Sequence, residues 1–187
     1  MATICAWVLT LPVLAAPRAL EFSPAQVSRL DRLLQHIQAR LELAPTIAKT
    51  RWRTMSRIED SMSEQTAIEA VRARSARLGL DVELAARFAR AQIDAGKIIQ
   101  AARHREWAAD PSLAPGRDSA ANVFQASTAE PEFSAAMLRA LRDAVTVLRR
   151  RGGRGLLDAR AADLIHVGGP DLLAGQTALK PLYDVAN

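Results

Sequence analysis

The chain has 187 residues, enough for one domain with a real core, and only 4% of them are aromatic. Alanine, leucine and arginine dominate over long stretches without glycine, proline or β-branched clusters, which favours helix over sheet and predicts an all-α fold. The formal charge of +5 comes almost wholly from arginine, since Lys49, Lys97 and Lys180 are the lysines; it fits either arginines spread over solvated helix faces or an anionic ligand held by guanidinium forks.

The first residues, Met1 to Ala16, form an apolar run ending in small side chains, with Val13-Leu14-Ala15 offering a cleavage site. Residues 1–19 read as an export signal without the usual basic start, and 20–187 as a single helical domain. The run is shorter than the ~20 apolar residues of a spanning helix, so stable membrane insertion after processing is not expected. Cys5 lies inside it and is the only cysteine, which leaves the mature chain without disulfide or thiolate chemistry.

From Ser23 to about Arg57, Val27, Leu30, Leu34, Ile37, Leu41, Ala44 and Ala48 recur three and four residues apart, one stripe along a long helix. Ser23 is a good N-cap and Pro24 a good first residue, while Pro45 should bend the helix without ending it. A second helix is expected from about Ser63 to Leu78, stopping at Gly79. Asp81 caps a third, with Leu84, Phe88, Ala91, Ala95, Ile98 and Ala102 inward, running to about Trp107. After a loop over 110–130, a fourth helix from about Glu132 to Arg151 turns Phe133, Met137, Leu141, Ala144 and Leu148 inward. Two short helices, near Leu156 to Ile165 and Pro170 to Tyr183, make about six in all.

Arg149-Arg-Arg-Gly-Gly-Arg-Gly155 reads as a basic helix C-terminus followed by a glycine stop. No aromatics are interleaved to stack bases, so nucleic acid is not expected as a partner. His36, His104 and His166 lack partners at metal-ligand spacing, and no metal site is expected. Trp52 and Trp107 read as core anchors.

Three blocks stand in a telling order: Gln38-Ala-Arg-Leu-Glu-Leu-Ala44; Ile47-Ala-Lys-Thr-Arg-Trp52 with Ile58-Glu-Asp-Ser61; and Gly79-Leu-Asp81 with Ala91-Gln-Ile-Asp-Ala-Gly-Lys-Ile-Ile-Gln100. Together they resemble the exported (periplasmic or secreted, gamma-type) all-helical chorismate mutases, closely over Val27 to Trp107 and loosely beyond. The resemblance implies a type II-like helical bundle and a likeness to a homodimer, each subunit with its own site. It implies an intramolecular isomerase of aromatic amino acid biosynthesis converting chorismate to prephenate, without a cofactor. That reaction breaks an ether bond as a carbon-carbon bond forms, with no proton transfer. The protein's task is to hold a dicarboxylate in a compact shape and to donate to the ether oxygen, effects worth about 3 to 10 kcal/mol each.

By the same resemblance Arg40 clamps a carboxylate, Arg51 stands where a lysine is usual, Asp60 orders the site, and Gln100 donates to the ether oxygen. Eleven residues separate Arg40 from Arg51, which puts them on one helix face about 16 Å apart along the axis, within reach of one ligand through long side chains. Gly96 and Gln92 precede Gln100 by one and two turns and should line the same pocket. The sequence departs from the family at Ser63, where an arginine clamp is usual before Glu64, at Gly96, where a hydroxyl or amide is usual, and at Ala136, where a fourth-helix arginine is common. Arg57, Arg72 and Arg139 are candidates to compensate. The alternative is a catalytically inactive relative that binds another carboxylate or a protein partner.

Overall fold

The computed structural model describes residues 22–116, 133 and 135–187. The segment expected to be an export signal, and most of the loop before the fourth helix, lie outside the described residues. Six α-helices follow in order: α1 (Pro24–Thr54), α2 (Ser61–Arg77), α3 (Val82–Ala109), α4 (Ala135–Leu148), α5 (Gly153–Leu164) and α6 (Leu172–Tyr183). The fold is all-α, as composition predicted, with no strand among the described residues.

Helix α1 starts on a reciprocal cap. The Gln26 amide N–H donates to Ser23 Oγ, and the Ser23 N–H donates to Gln26 Oε1 at 2.9 Å. The helix runs through Pro45, as its unbroken apolar stripe requires. It ends at Thr54, three residues before the expected end, because Met55 turns left-handed at φ 55° and the Ser56 N–H returns to the Arg51 carbonyl at 2.9 Å. Leu30, Leu34, Ile37, Leu41, Ala44 and Ala48 are buried as expected, Leu33 joins them, and Val27, in the first turn, is only half-buried.

Helix α3 is the hub, packing against α1, α2 and α6 at once, while α1 also packs on α4 and α5. Three-sided contact explains why burial on α3 is broader than one stripe. Leu84, Phe88 and Ala95 are buried as expected, together with Ala85, Ala89, Gln92, Ile99 and Gln100, whereas Ala91, Ile98 and Ala102 sit at the stripe's edge, half-buried. The inward set of the fourth helix (Phe133, Met137, Leu141, Ala144 and Leu148) is buried in full. Burying each leucine- or phenylalanine-sized side chain stabilises the bundle by about 1.5 to 3 kcal/mol, which is what offsets ordering three long helices.

The arginine-glycine run corrects the sequence reading. Helix α4 ends at Leu148, Gly152 takes φ 83°, and Gly153 and Gly155 are the first turn of α5 rather than a stop. A Cβ on Gly153 would lie 2.1 Å from the Leu148 carbonyl oxygen. Only glycine lets α5 begin that close to the end of α4.

Candidate functional site

Between α1, α2 and α3 lies a cavity of about 110 Å³. All seven residues expected at the site line it: Arg40, Arg51, Asp60, Ser63, Gln92, Gly96 and Gln100. Residues up to 60 apart in sequence are thus brought to one hollow. Leu41, Ala44, Ile47, Ile58 and Ile93 supply its apolar wall.

The floor comes from α3. Gln92 and Gln100 are each only 3% exposed, a depth at which amides normally need partners. Gln92 donates from Nε2 to the Ala178 carbonyl at 2.8 Å, so it is pinned to α6 and leaves Oε1 without a hydrogen bond. Gln100 Oε1 likewise accepts no hydrogen bond among the described residues. A Cβ on Gly96 would meet Gln100 Nε2 at 3.7 Å and nothing closer, so the missing side chain leaves open space beside that amide.

The α1 arginines arrive from the opposite wall, half-buried, with their stems on apolar surface. The Arg40 guanidinium stacks 4.4 Å from the centre of the Phe133 ring. Arg74 of α2 donates to the Phe133 carbonyl and so helps hold that ring in place. Arg51 donates to the Ile58 carbonyl and, at 3.3 Å, to the Arg57 carbonyl, fastening the α1–α2 turn onto the cavity edge.

The rim is the start of α2. Asp60 is its N-cap and the helix begins at Ser61, two residues earlier than expected, because Asp60 Oδ1 accepts the Ser63 N–H at 3.1 Å. Ser63 Oγ donates to Asp60 Oδ2 at 2.7 Å. Those two bonds to Ser63 outweigh desolvation and, with the nearby Arg51 charge, hold the Asp60 carboxyl below its ordinary pKa. Ser63 therefore serves Asp60 and brings no positive charge to the hollow.

Two charged residues not expected at the site also line it. Lys97 Nζ lies 3.1 Å from Glu64 Oε2 and 3.4 Å from Asp94 Oδ1. Burial pulls the Lys97 pKa down, but the hydrogen bond and charge of Glu64, reinforced by Asp94, outweigh it and leave it raised. One of three lysines in an arginine-rich chain, placed between Gly96 and Gln100, was the available signal. Of the residues considered as compensation, Arg57 and Arg139 are exposed, Arg72 is paired with Glu83 at 3.1 Å, and none lines the cavity. Ala136 is exposed and outside it as well.

Trp52 and Trp107 also stay outside, packed edge-to-face at 5.6 Å with His104 between them in the same cluster. His104 Nε2 is 2.9 Å from the Ala48 carbonyl, a satisfied histidine. Among the described residues there is no grouping of side chains that could hold a metal ion, and no helix is long and apolar enough to cross a membrane.

No protein-family model and no curated protein matches the sequence. Solved structures do. A chorismate mutase from Burkholderia phymatum superposes with a TM-score of 0.69 at 20% identity, over 84% of this chain and 98% of that one. The fold is that of chorismate mutases. A second, from Burkholderia thailandensis, gives 0.65 at 23% identity over 83% of this chain and 99% of the other. The likeness thus spans nearly the whole of both neighbours and is a likeness of backbone, with little sequence behind it.

Proposed function

We propose that this chain is a chorismate mutase of the exported, all-helical subclass, rearranging chorismate to prephenate in the cavity between α1, α2 and α3. The observation that carries the proposal is the convergence of Arg40, Arg51 and Gln100 on one hollow in a fold shared with chorismate mutases. In it, Arg40 and Arg51 hold carboxylates and lock the compact conformer, while Gln100 donates from Nε2 to the ether oxygen as negative charge develops there. A buried amide donates at every pH and needs no proton from solvent. Asp60 holds the rim by capping α2, and Gln92 fixes the floor against α6.

The sequence also supports action in the periplasm or outside the cell, from the apolar leader, and assembly as a homodimer with a complete site in each subunit. Both belong to the proposal and neither is needed for the chemistry. Ser63, Gly96 and Ala136 favour a weak enzyme, or the second reading of an inactive relative that binds another carboxylate or a protein partner. Losing one charged hydrogen bond to a buried carboxylate typically costs about 2 to 5 kcal/mol, roughly 30- to 5,000-fold in rate.

The deciding experiment is the ultraviolet loss of chorismate on adding the purified chain. Conversion to prephenate, abolished in Arg40→Ala, is expected. No conversion above the uncatalysed rate, from a folded protein, would leave the inactive-relative reading in its place.

A further inference from the structure

We propose that Lys97 is the second carboxylate anchor of this cavity and sets its preference for ligands with two carboxylates over ligands with one. The proposal deepens the mutase reading and rests on the cavity being the ligand site.

Charge is the first reason. Among the described residues, the ionisable side chains lining the hollow are Arg40, Arg51 and Lys97 against Asp60 and Glu64. Without Lys97 the two guanidiniums are cancelled by the two acids, and a dianion entering the pocket would meet no net attraction. Asp60 cannot be discounted from that balance, since Ser63 keeps it ionised.

Geometry is the second. Glu64 is not a loose competitor for the ammonium. Its Oε1 accepts the Asp60 backbone N–H at 3.3 Å while both its oxygens face Lys97 Nζ, at 3.2 and 3.1 Å. The carboxylate is thereby fixed at the start of α2 and holds the ammonium against the cavity wall. A lysine ammonium has three N–H donors. With Glu64 as one bifurcated acceptor and Asp94 as another, one donor remains for a ligand oxygen. Among the described residues the place beside it is open, because Gly96 contributes no side chain and a Cβ there would touch only Gln100 Nε2. Lys97 and Gln100 lie three residues apart on α3 and so share a face. A ligand carboxylate on Lys97 would sit next to the reacting oxygen on Gln100, with Arg40 and Arg51 closing from α1.

Calorimetric titration of the full chain with isophthalate, a ring with two carboxylates, and benzoate, a ring with one, tests this without requiring turnover. The native chain should prefer isophthalate. Lys97→Gln should weaken isophthalate about 10- to 100-fold, the loss of one charged hydrogen bond, and leave benzoate within a few-fold. Lys97→Arg should recover most of the difference. Glu64→Gln keeps an acceptor for the Asp60 N–H but removes a competing charge, so it should tighten isophthalate. Should Lys97→Gln lose its helical circular dichroism, the Glu64→Gln result decides alone.

Equal affinity for the two ligands in the native chain, no binding of either, or an isophthalate affinity unmoved by Lys97→Gln in a folded protein, would overturn the proposal. The two readings fail separately. An isophthalate preference lost in Lys97→Gln with no chorismate turnover removes mutase activity and keeps the anchor. Turnover with an unchanged KM in Lys97→Gln removes the anchor and keeps the mutase.

Discussion

Gln100→Glu turns the nature of the ether-oxygen donor into a pH profile. The two side chains are nearly isosteric, so the cavity floor keeps its packing, but the introduced carboxyl donates only while protonated. At a position 3% exposed, burial raises its pKa above the ordinary ~4.3, while the positive charges of Arg40, Arg51 and Lys97 on the same cavity pull the other way. Once ionised it offers no hydrogen and repels the negative charge growing on the oxygen. Removing one such donor typically costs about 100- to 1,000-fold in kcat, or roughly 2.7 to 4 kcal/mol. The native chain should show no step in kcat/KM from Gln100 between pH 4.5 and 9. Gln100→Glu should approach it at the acid end and fall about tenfold per pH unit above the carboxyl pKa, flattening two to three decades down. The acid limb is safe for the fold as far as Asp60 is concerned. Its pKa is lowered in the native state, so the stability it contributes is present above its unfolded value of 3.8 and is lost only as pH falls through the lower folded value. A Gln100→Glu profile as flat as the native one would mean that the amide does not donate to the reacting oxygen.

Gly153→Ala should destabilise the chain by about 3 kcal/mol, since the new methyl must push either α5 or the Leu148 carbonyl aside, and in a domain of this size that lowers Tm by roughly 6 to 12 °C. Gly155→Ala, in the same helical turn with nothing within 4 Å, should instead stabilise by about 0.4 to 1 kcal/mol; thermal unfolding of the pair compares them directly, and equal shifts would contradict the packing described. Tyr183 is the only tyrosine in the sequence, and burial together with its 2.9 Å hydrogen bond to Asp158 raises its pKa above 10. Its ultraviolet titration should therefore run above that of a free tyrosine and move down in Asp158→Ala. The linked stability is present below the unfolded value and declines as pH rises through the folded one.

What the sequence made legible was whatever depends on short-range periodicity. Leu30 to Ala48 and Phe133 to Leu148 each bury one face, and a stripe three and four residues apart reports that directly. Helix α3 was read less well because three helices cover it, so Ala85, Ala89 and Ile99 are buried off the expected stripe. Ends were misjudged where one residue's backbone decides them: left-handed Met55 at the end of α1, and Gly153, whose role depends on a carbonyl five residues earlier. At the cavity, the side chains named by the resemblance converge, since the order of blocks along α1 and α3 fixes their faces. Lys97 and Glu64 were not legible as site members. Their pairing spans 33 residues and depends on how α2 crosses α3, which no local pattern encodes.

The arginine excess, the most visible feature of the composition, proves a poor guide to the site. Part of it goes into structural pairs. Arg160 of α5 bonds Asp31 of α1 through two nitrogens at 2.7 and 3.1 Å, Arg103 of α3 meets Asp171 at 2.6 Å, and Arg72 of α2 meets Glu83 of α3. Each joins one element to another, and a planar fork suits that work. Such pairs leave the cavity's charge in the hands of few residues: two arginines, one lysine and two acids. A balance that narrow makes single charges decisive. Replacing any one of the five should change ligand affinity far more than deleting an arginine from the surface, although the net charge of the whole chain would change by the same amount.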